Sequence, residues 1–262
     1  MKRIKNVVKQ CYPDAVVMVF GSCATGLNLP NSDIDLLVYN TAVSELSMIN
    51  KLQNRLLKEG ICKSIEPLKH TKVPIIKLTD KLSNINVDIS FNRTNGIYCV
   101  KLVKFLMKKY PELRPIILVL KAFLKSRNLN ETYHGGVSSF LLTMMVTSYL
   151  QQQYLRNNTD RMDLGKHLIN FFELYGKKFN YDMIGISIRK EGSYFLKEKR
   201  GWEGNDERSR GRLCVENPQD PDIDIGKAAY NIKKVQRAFQ HAYDTLVFNN
   251  SNSVSLLNLI IS

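Results

Sequence analysis

Phe20-Gly21-Ser22 is followed, after ten intervening residues, by Asp33-Ile34-Asp35-Leu36. Gly21 ends an apolar run and permits the tight turn needed there. Ser22 and the amides after it can then stand at a helix N-terminus, where N–H groups and the dipole favour a phosphate. On a strand, Asp33 and Asp35 share one face while Ile34 and Leu36 enter the core. Two carboxylates held that close repel each other unless cations neutralise them. Hard, oxygen-seeking Mg²⁺ or Mn²⁺ does this while bridging triphosphate oxygens. A third acid, Asp88, lies among Val87, Ile89 and Phe91. An acid on an otherwise apolar strand costs free energy unless it is paired, exposed or metal-bound. Three carboxylates around two ions suit nucleotidyl transfer, one ion serving the attacking 3′ hydroxyl and the other the triphosphate and leaving pyrophosphate. Asp88 is expected to bind the first ion and to accept the hydroxyl proton. A lone D-x-D is usually a turn or a solvated edge. The Gly-Ser pair at a set distance and the strand-borne third acid favour the catalytic reading.

The elements that must position these groups are readable nearby. Val16–Phe20 is a short apolar strand, Ile34–Tyr39 a second, and Val87–Phe91 alternates as a third. Ser44–Glu59 has helical spacing, and Val73–Leu78, opened by Pro74, reads as one more strand. After Gly96 the texture becomes helical. Ile97, Val100, Val103 and Met107 recur until Pro111; Pro115 then opens Ile116–Arg127, and Val137–Tyr154 forms a long apolar helix. Leu164–Tyr175 and Ile232–Leu246 complete the set. Residues 197–212, dense in both charge signs and holding Gly201, Gly204 and Gly211, are expected to form an exposed loop. The organisation expected is α+β, a mixed-sheet catalytic domain at residues 1–94 followed by an all-helical domain at 95–262.

Composition narrows the partners. Thirty-eight Lys and Arg against twenty-four Asp and Glu give +14 over 262 residues, a surplus suited to polyanions such as nucleic acid, nucleotides or anionic lipid. The five cysteines include no C-x-x-C pair, which suggests neither a disulfide framework nor a zinc site. No apolar signal core opens the chain, and no stretch reaches the ~18 apolar residues of a membrane helix. No membrane role is therefore expected.

Longer motifs carry a resemblance. Val19-Phe20-Gly21-Ser22, Thr25-Gly26-Leu27, Leu29-Pro30 and Ser32–Leu36 look like the signature of the polymerase-β-type nucleotidyltransferases. Within that superfamily, Lys72–Leu78, Val87–Asn92, Asn95-Gly96, Leu118–Lys121, Gly135-Gly136, Phe171–Gly176, Phe179–Tyr181, Gly192–Tyr194, Leu213–Pro218 and Asp224–Gly226 resemble the noncanonical poly(A) polymerases of the nuclear RNA-surveillance (TRAMP-type) branch. The match runs nearly the whole chain. It implies a polymerase-β-like catalytic lobe and a helical central lobe, with ATP in the cleft between them and a nucleotide-recognition segment at about 160–230. Carried over by position, Gly21 and Ser22 hold phosphate, and Asp33, Asp35 and Asp88 hold two Mg²⁺ or Mn²⁺ ions. Asn95 and Gly96 line the ribose and base site, Lys121 and Lys125 serve the triphosphate, Ser139 lies beside the phosphates, and Phe140 stacks on the base. Stacking of that kind tolerates any base. Taken without the resemblance, Lys121 reads as a solvated helix charge and Phe140 as core.

The departures from the family pattern concern specificity. Phe140 stands where relatives usually have Tyr. In the recognition segment Ile223 replaces an expected Asn, Lys227 an Arg, and Ala228 and Ala229 two serines. Ile223 cannot hydrogen-bond a base edge, leaving Asp224 and waters as the possible adenine readers. Adenylate addition to RNA 3′ ends is the leading reading; uridylyl or relaxed-specificity transfer, an inactive RNA-binding scaffold and a DNA polymerase are the alternatives. Relatives also begin with further helical residues, whereas only Met1–Lys9 precede the catalytic lobe here, so either a minimal form or a covering partner is expected. The resemblance further implies RNA, a separate zinc-knuckle RNA-binding protein and an RNA helicase as partners, and a nuclear location, the nucleolus included.

Overall fold

The computed structural model describes residues 1–40, 42–71, 73–156, 163–203, 211–248 and 255–261. They form two compact units, Met1–Phe105 and Leu106–Ser262, which divide inside a helix rather than at its start near residue 94.

The first unit holds α1 (Lys2–Cys11), β1 (Val16–Phe20), the short α2 (Gly21–Thr25), β2 (Ile34–Tyr39), α3 (Glu45–Lys58), β3 (Cys62–Leu68), β4 (Ile75–Asp80), β5 (Asn86–Phe91) and most of α4 (Asn95–Lys109). Its five-stranded sheet has the order β1-β2-β5-β4-β3. Only β2 and β5 run parallel; the remaining neighbours are antiparallel. One face of the sheet carries Leu36, Val38, Ile76, Leu78, Val87, Ile89 and Phe91 and is covered by apolar residues of α1 and α3. On α1 these are Ile4, Val7, Val8 and Cys11, and on α3 Met48, Ile49, Leu52 and Leu56, each set recurring every three or four residues as one helix face requires. Ser44 caps α3, its hydroxyl accepting from the Ser47 amide. Burying one face in this way leaves the alternate residues of every strand on the other, and the acids lie there.

The far end of this sheet is tied to α1 by a single carboxylate. One Asp80 oxygen meets Arg3 at 2.6 Å; the other accepts from the amides of Leu82 and Ser83 and from the Ser83 hydroxyl. Burial alone pushes the Asp80 carboxyl up, but the Ser83 bonds and the Arg3 charge outweigh it and hold it below the ordinary Asp value. A carboxyl depressed in the folded state stabilises above its unfolded pKa and loses that contribution as pH falls through the folded value. Asp80→Asn is therefore expected to cost about 1–3 kcal/mol at neutral pH. The gap between wild type and variant should close as thermal melts are taken down through the acid range. A gap that persists at low pH would refute the ionic origin of the effect.

The second unit holds α5 (Leu113–Ser126), α6 (Ser139–Leu155), α7 (Leu164–Glu173), α8 (Ile232–Phe248), α9 (Asn258–Ile261) and three short strands, β6 (Ile184–Ser187), β7 (Ser193–Leu196) and β8 (Cys214–Val215). An aromatic cluster of Phe123, Phe171, Phe172, Phe239 and Tyr175 binds α5, α7 and α8 together. α7 continues into a π-helical turn, Leu174–Lys178, where Gly176 lets the backbone of α8 approach: a Cβ there would come within 2.6 Å of the Gln240 amide nitrogen.

Two expectations need correction. The α+β class stands, but the second unit is not all-helical, because β7-β6-β8 form a small sheet. Strands of four, four and two residues are too short to show a period, and β8 comes from far along the chain. The charge-dense stretch is likewise not one exposed loop. Residues 204–210, Gly204 among them, lie outside the described residues, as does Lys72. In the part described, Lys197 is 2% exposed and its ammonium donates to the carbonyls of Tyr181 and Arg212. A buried cation needs such acceptors to offset its lost hydration.

Candidate active site

Strand register assembles a row of side chains across the face of the first sheet that α1 and α3 leave uncovered. Phe20 lies opposite Asp35, Asp35 beside Asp88, Asp88 opposite Lys77, and Lys77 opposite Glu66. Partners in register on neighbouring strands project to the same face, so two acids stand side by side with an ammonium next to them. The Lys77 ammonium is 3.2 Å from an Asp88 oxygen. Asp33, one alternate position before Asp35, lines the same cavity of about 260 Å³ as Asp88, Lys77 and Glu66. Burial pushes the Asp88 carboxyl up from its ordinary value; the Lys77 charge pulls it back, and the Asp33 charge adds to the rise. Asp33 and Asp88 are thus close enough to feel each other.

Gly21 closes the other side of the row. It begins α2 at φ 64°, and a Cβ there would lie 1.9 Å from Asp35 Oδ2. The turn therefore sits directly against the carboxylate. Ser22 follows; its carbonyl accepts from the Leu27 amide and the Thr25 hydroxyl, whereas among the described residues its own hydroxyl has no protein partner. Asn95 opens α4, and Gly96 packs on the Phe20 ring, where a Cβ would come within 2.5 Å. Gly96 thereby backs the residue that neighbours Asp35.

Among the described residues, no three His, Cys, Asp or Glu side chains are gathered closely enough to hold a metal ion as they stand. The donor chemistry nonetheless fits hard divalent ions. All three candidates are carboxylates on one face, two of them are register neighbours, and a cationic group already rests on Asp88.

The remaining expected residues belong to the second unit. Lys121 and Lys125 are one turn apart on α5, the latter exposed. α6 is buried from Leu141 to Gln151, but at its start Ser139 is exposed and Phe140 half-buried, so Phe140 is not the sealed core residue that its apolar helix suggests. Asp224 is half-buried and spent locally, its Oδ1 accepting from the amides of Val215 and Gly226. Burial pushes its carboxyl up against the pull of those bonds. It shapes the turn after β8 from within, and Ile223 beside it is 48% exposed.

Sequence reading misses Lys77 and Glu66, and with them the hydroxyl and amide side chains of Ser64, Thr79 and Asn86 that line the same cavity. The one sequence signal is the alternation Lys77-Leu78-Thr79, which puts polar groups on the face opposite Leu78.

Residues 1–108 match the family described as "Poly(A) RNA polymerase, mitochondrial-like, central palm domain", and residues 163–223 match "Cid1 family poly A polymerase". Poly(A) RNA polymerase protein 1 of Saccharomyces cerevisiae is 36% identical over 250 residues, covering 94% of this chain and 39% of the relative. The inactive non-canonical poly(A) RNA polymerase protein Trf4-2 of Drosophila melanogaster is 37% identical over 249 residues, covering 93% of this chain and 61% of the relative. The solved polymerase core of TRAMP, an RNA surveillance complex, superposes with a TM-score of 0.89 at 32% identity, covering 100% of this chain and 85% of that one. The chain belongs to the noncanonical poly(A) polymerases of the TRAMP type, within the polymerase-β-like nucleotidyltransferases. It spans between two-fifths and about three-fifths of the two curated relatives' length.

Proposed function

We propose that this protein transfers AMP from ATP to the 3′ end of RNA without a template, releasing pyrophosphate, in nuclear RNA quality control. The observation that carries the reading is the register pairing of Asp35 with Asp88, with Asp33 on the same cavity and the Gly21–Ser22 turn against Asp35. Asp33, Asp35 and Asp88 would hold two divalent ions, Mg²⁺ or Mn²⁺, which would neutralise the triphosphate and lower the barrier to attack. The chain's own groups do the rest. Ser22 and the amides of α2 orient phosphate oxygens, Asp88 Oδ takes up the proton of the attacking hydroxyl, and Lys121 and Lys125 bring compact cations to the triphosphate. Phe140 offers a ring face to the base. RNA is the acceptor suited to the +14 surplus, and a zinc-knuckle RNA-binding protein and an RNA helicase are the partners the family suggests.

Ile223 favours a second reading, relaxed or uridylyl specificity. The test is extension of a short labelled RNA with each nucleoside triphosphate alone in the presence of Mg²⁺. ATP is expected to be used best, and because no base-edge donor stands at position 223, the margin over UTP should be about tenfold or less. Preference for UTP would replace the adenylyl assignment.

A further inference from the structure

One part of the cavity beside Asp88 has no task in the mechanism above. Its wall is a cross-strand ladder: Ser64 lies opposite Thr79 and Thr79 opposite Asn86. The Ser64 hydroxyl donates to Thr79 Oγ1 at 3.0 Å, and the Thr79 hydroxyl donates to Asn86 Oδ1 at 2.9 Å. Both hydroxyl protons thus point the same way along the ladder. Among the described residues this leaves the Asn86 amide protons and the Ser64 oxygen without protein partners, a donor at one end and an acceptor at the other. The pairing register shifts between Cys62 and Ser64, an irregularity that re-aims side chains at sheet edges beside functional sites.

Asn86 stands two residues before Asp88 on β5, on the same face and about 7 Å away along the strand. The cavity, about 260 Å³, falls below the range of ~300–1,000 Å³ in which whole drug-sized ligands are held. It has room for one sugar ring beside Asp88. We propose that it seats the terminal ribose of the acceptor strand, with its 3′ hydroxyl toward Asp88 and its 2′ hydroxyl bonded to the Ser64–Thr79–Asn86 ladder. A 2′ hydroxyl can accept from the unspent Asn86 amide, on the strand of Asp88, while the Ser64 end lies two strands away. The inference rests on the nucleotidyltransferase reading and adds to it a basis for choosing RNA over DNA as acceptor. The competing explanation is that the ladder only fastens an exposed sheet edge, as hydroxyl pairs across strands do.

Two oligoadenylates that differ only in a ribo or 2′-deoxy terminal sugar, both with a 3′ hydroxyl, separate these explanations. The full chain is expected to extend the ribo-ended strand about tenfold more efficiently, the usual effect of losing one well-placed hydrogen bond. In Thr79→Val and in Asn86→Ala that preference should fall toward unity through a raised KM for the strand, with KM for ATP unchanged. Binding of the same labelled strands by fluorescence anisotropy without nucleotide should show the same loss, and thermal melts identify any variant that fails to fold. Equal treatment of the two strands by wild type, or a preference that survives in both folded variants, overturns the ribose site. A wild-type chain that extends neither strand defeats the transferase reading instead. The anisotropy comparison then still decides the site: a ribo preference abolished by the variants supports it, and no preference or no binding removes it.

Discussion

Asp88→Ala is expected to lower RNA 3′ extension by about a thousandfold or more while leaving the melting temperature and RNA affinity near wild type. The size follows from removing several kcal/mol of transition-state stabilisation together with the group that takes the proton, at about 1.4 kcal/mol per factor of ten. The separation from stability follows from the surroundings of Asp88. Burial and the Asp33 charge both oppose its ionised form. It is ion-paired with Lys77, whose side chain is 47% exposed and is readily rehydrated when the carboxylate goes. Deleting Asp88 therefore removes repulsion as well as attraction, and the fold has little to lose. This dissociation bears on the scaffold alternative, which has force because a 37% identical relative is named an inactive polymerase. Family membership thus does not settle activity; extension measured in wild type and in Asp88→Ala does. Single-turnover extension with saturating RNA and ATP, beside RNA binding by anisotropy, measures both halves. Wild-type RNA binding without extension supports the scaffold, and equal extension by wild type and Asp88→Ala rejects the two-ion site.

The acids are readable in the sequence and their arrangement is not, for reasons that lie in the chain itself. Asp33 and Asp35 stand out because strand geometry puts every second residue on one face, and the apolar runs of β1 and β2 and the alternation of β5 show their bounds to within a residue. Ser44 marks the start of α3 through ordinary capping chemistry. Register is a different matter. That Asp35 falls beside Asp88 depends on β2 and β5 pairing in parallel, a non-local choice that neither strand encodes alone. β3 escapes a sequence reading because Lys63, Glu66 and Pro67 interrupt its apolar pattern and its pairing is irregular; Glu66 and Ser64 go with it. α1 goes unread too, although Ile4, Val7, Val8 and Cys11 have helical spacing and Lys2, Arg3, Lys5, Lys9 and Gln10 fill the positions between them, the pattern of a one-sided helix. Asp224 shows the reverse limit. Its position fits a recognition motif, but only the structure reveals that its carboxylate is already engaged by two backbone amides.

Gly21→Ala is expected to reduce extension on the order of a hundredfold, with Gly26→Ala as its control. Both glycines have positive φ, 64° and 75°, so an alanine at either costs about 1–2 kcal/mol of backbone strain. They differ in what the new methyl meets. At Gly26 nothing lies within 4 Å; at Gly21 the Cβ would fall 1.9 Å from Asp35 Oδ2 and 2.8 Å from its Cγ. No contact that short survives, so either the turn or the carboxylate must move by an ångström or more. Misplacing a reacting group by that distance can cost about a hundredfold in rate. The two variants should therefore lose similar stability in thermal melts, while extension collapses only in Gly21→Ala. Raising Mn²⁺ should recover part of that activity, since a displaced Asp35 weakens ion binding before it abolishes it. If Gly26→Ala loses as much activity as Gly21→Ala, backbone strain in the turn is the cause, and the contact between Gly21 and Asp35 has no special part in holding the acid row.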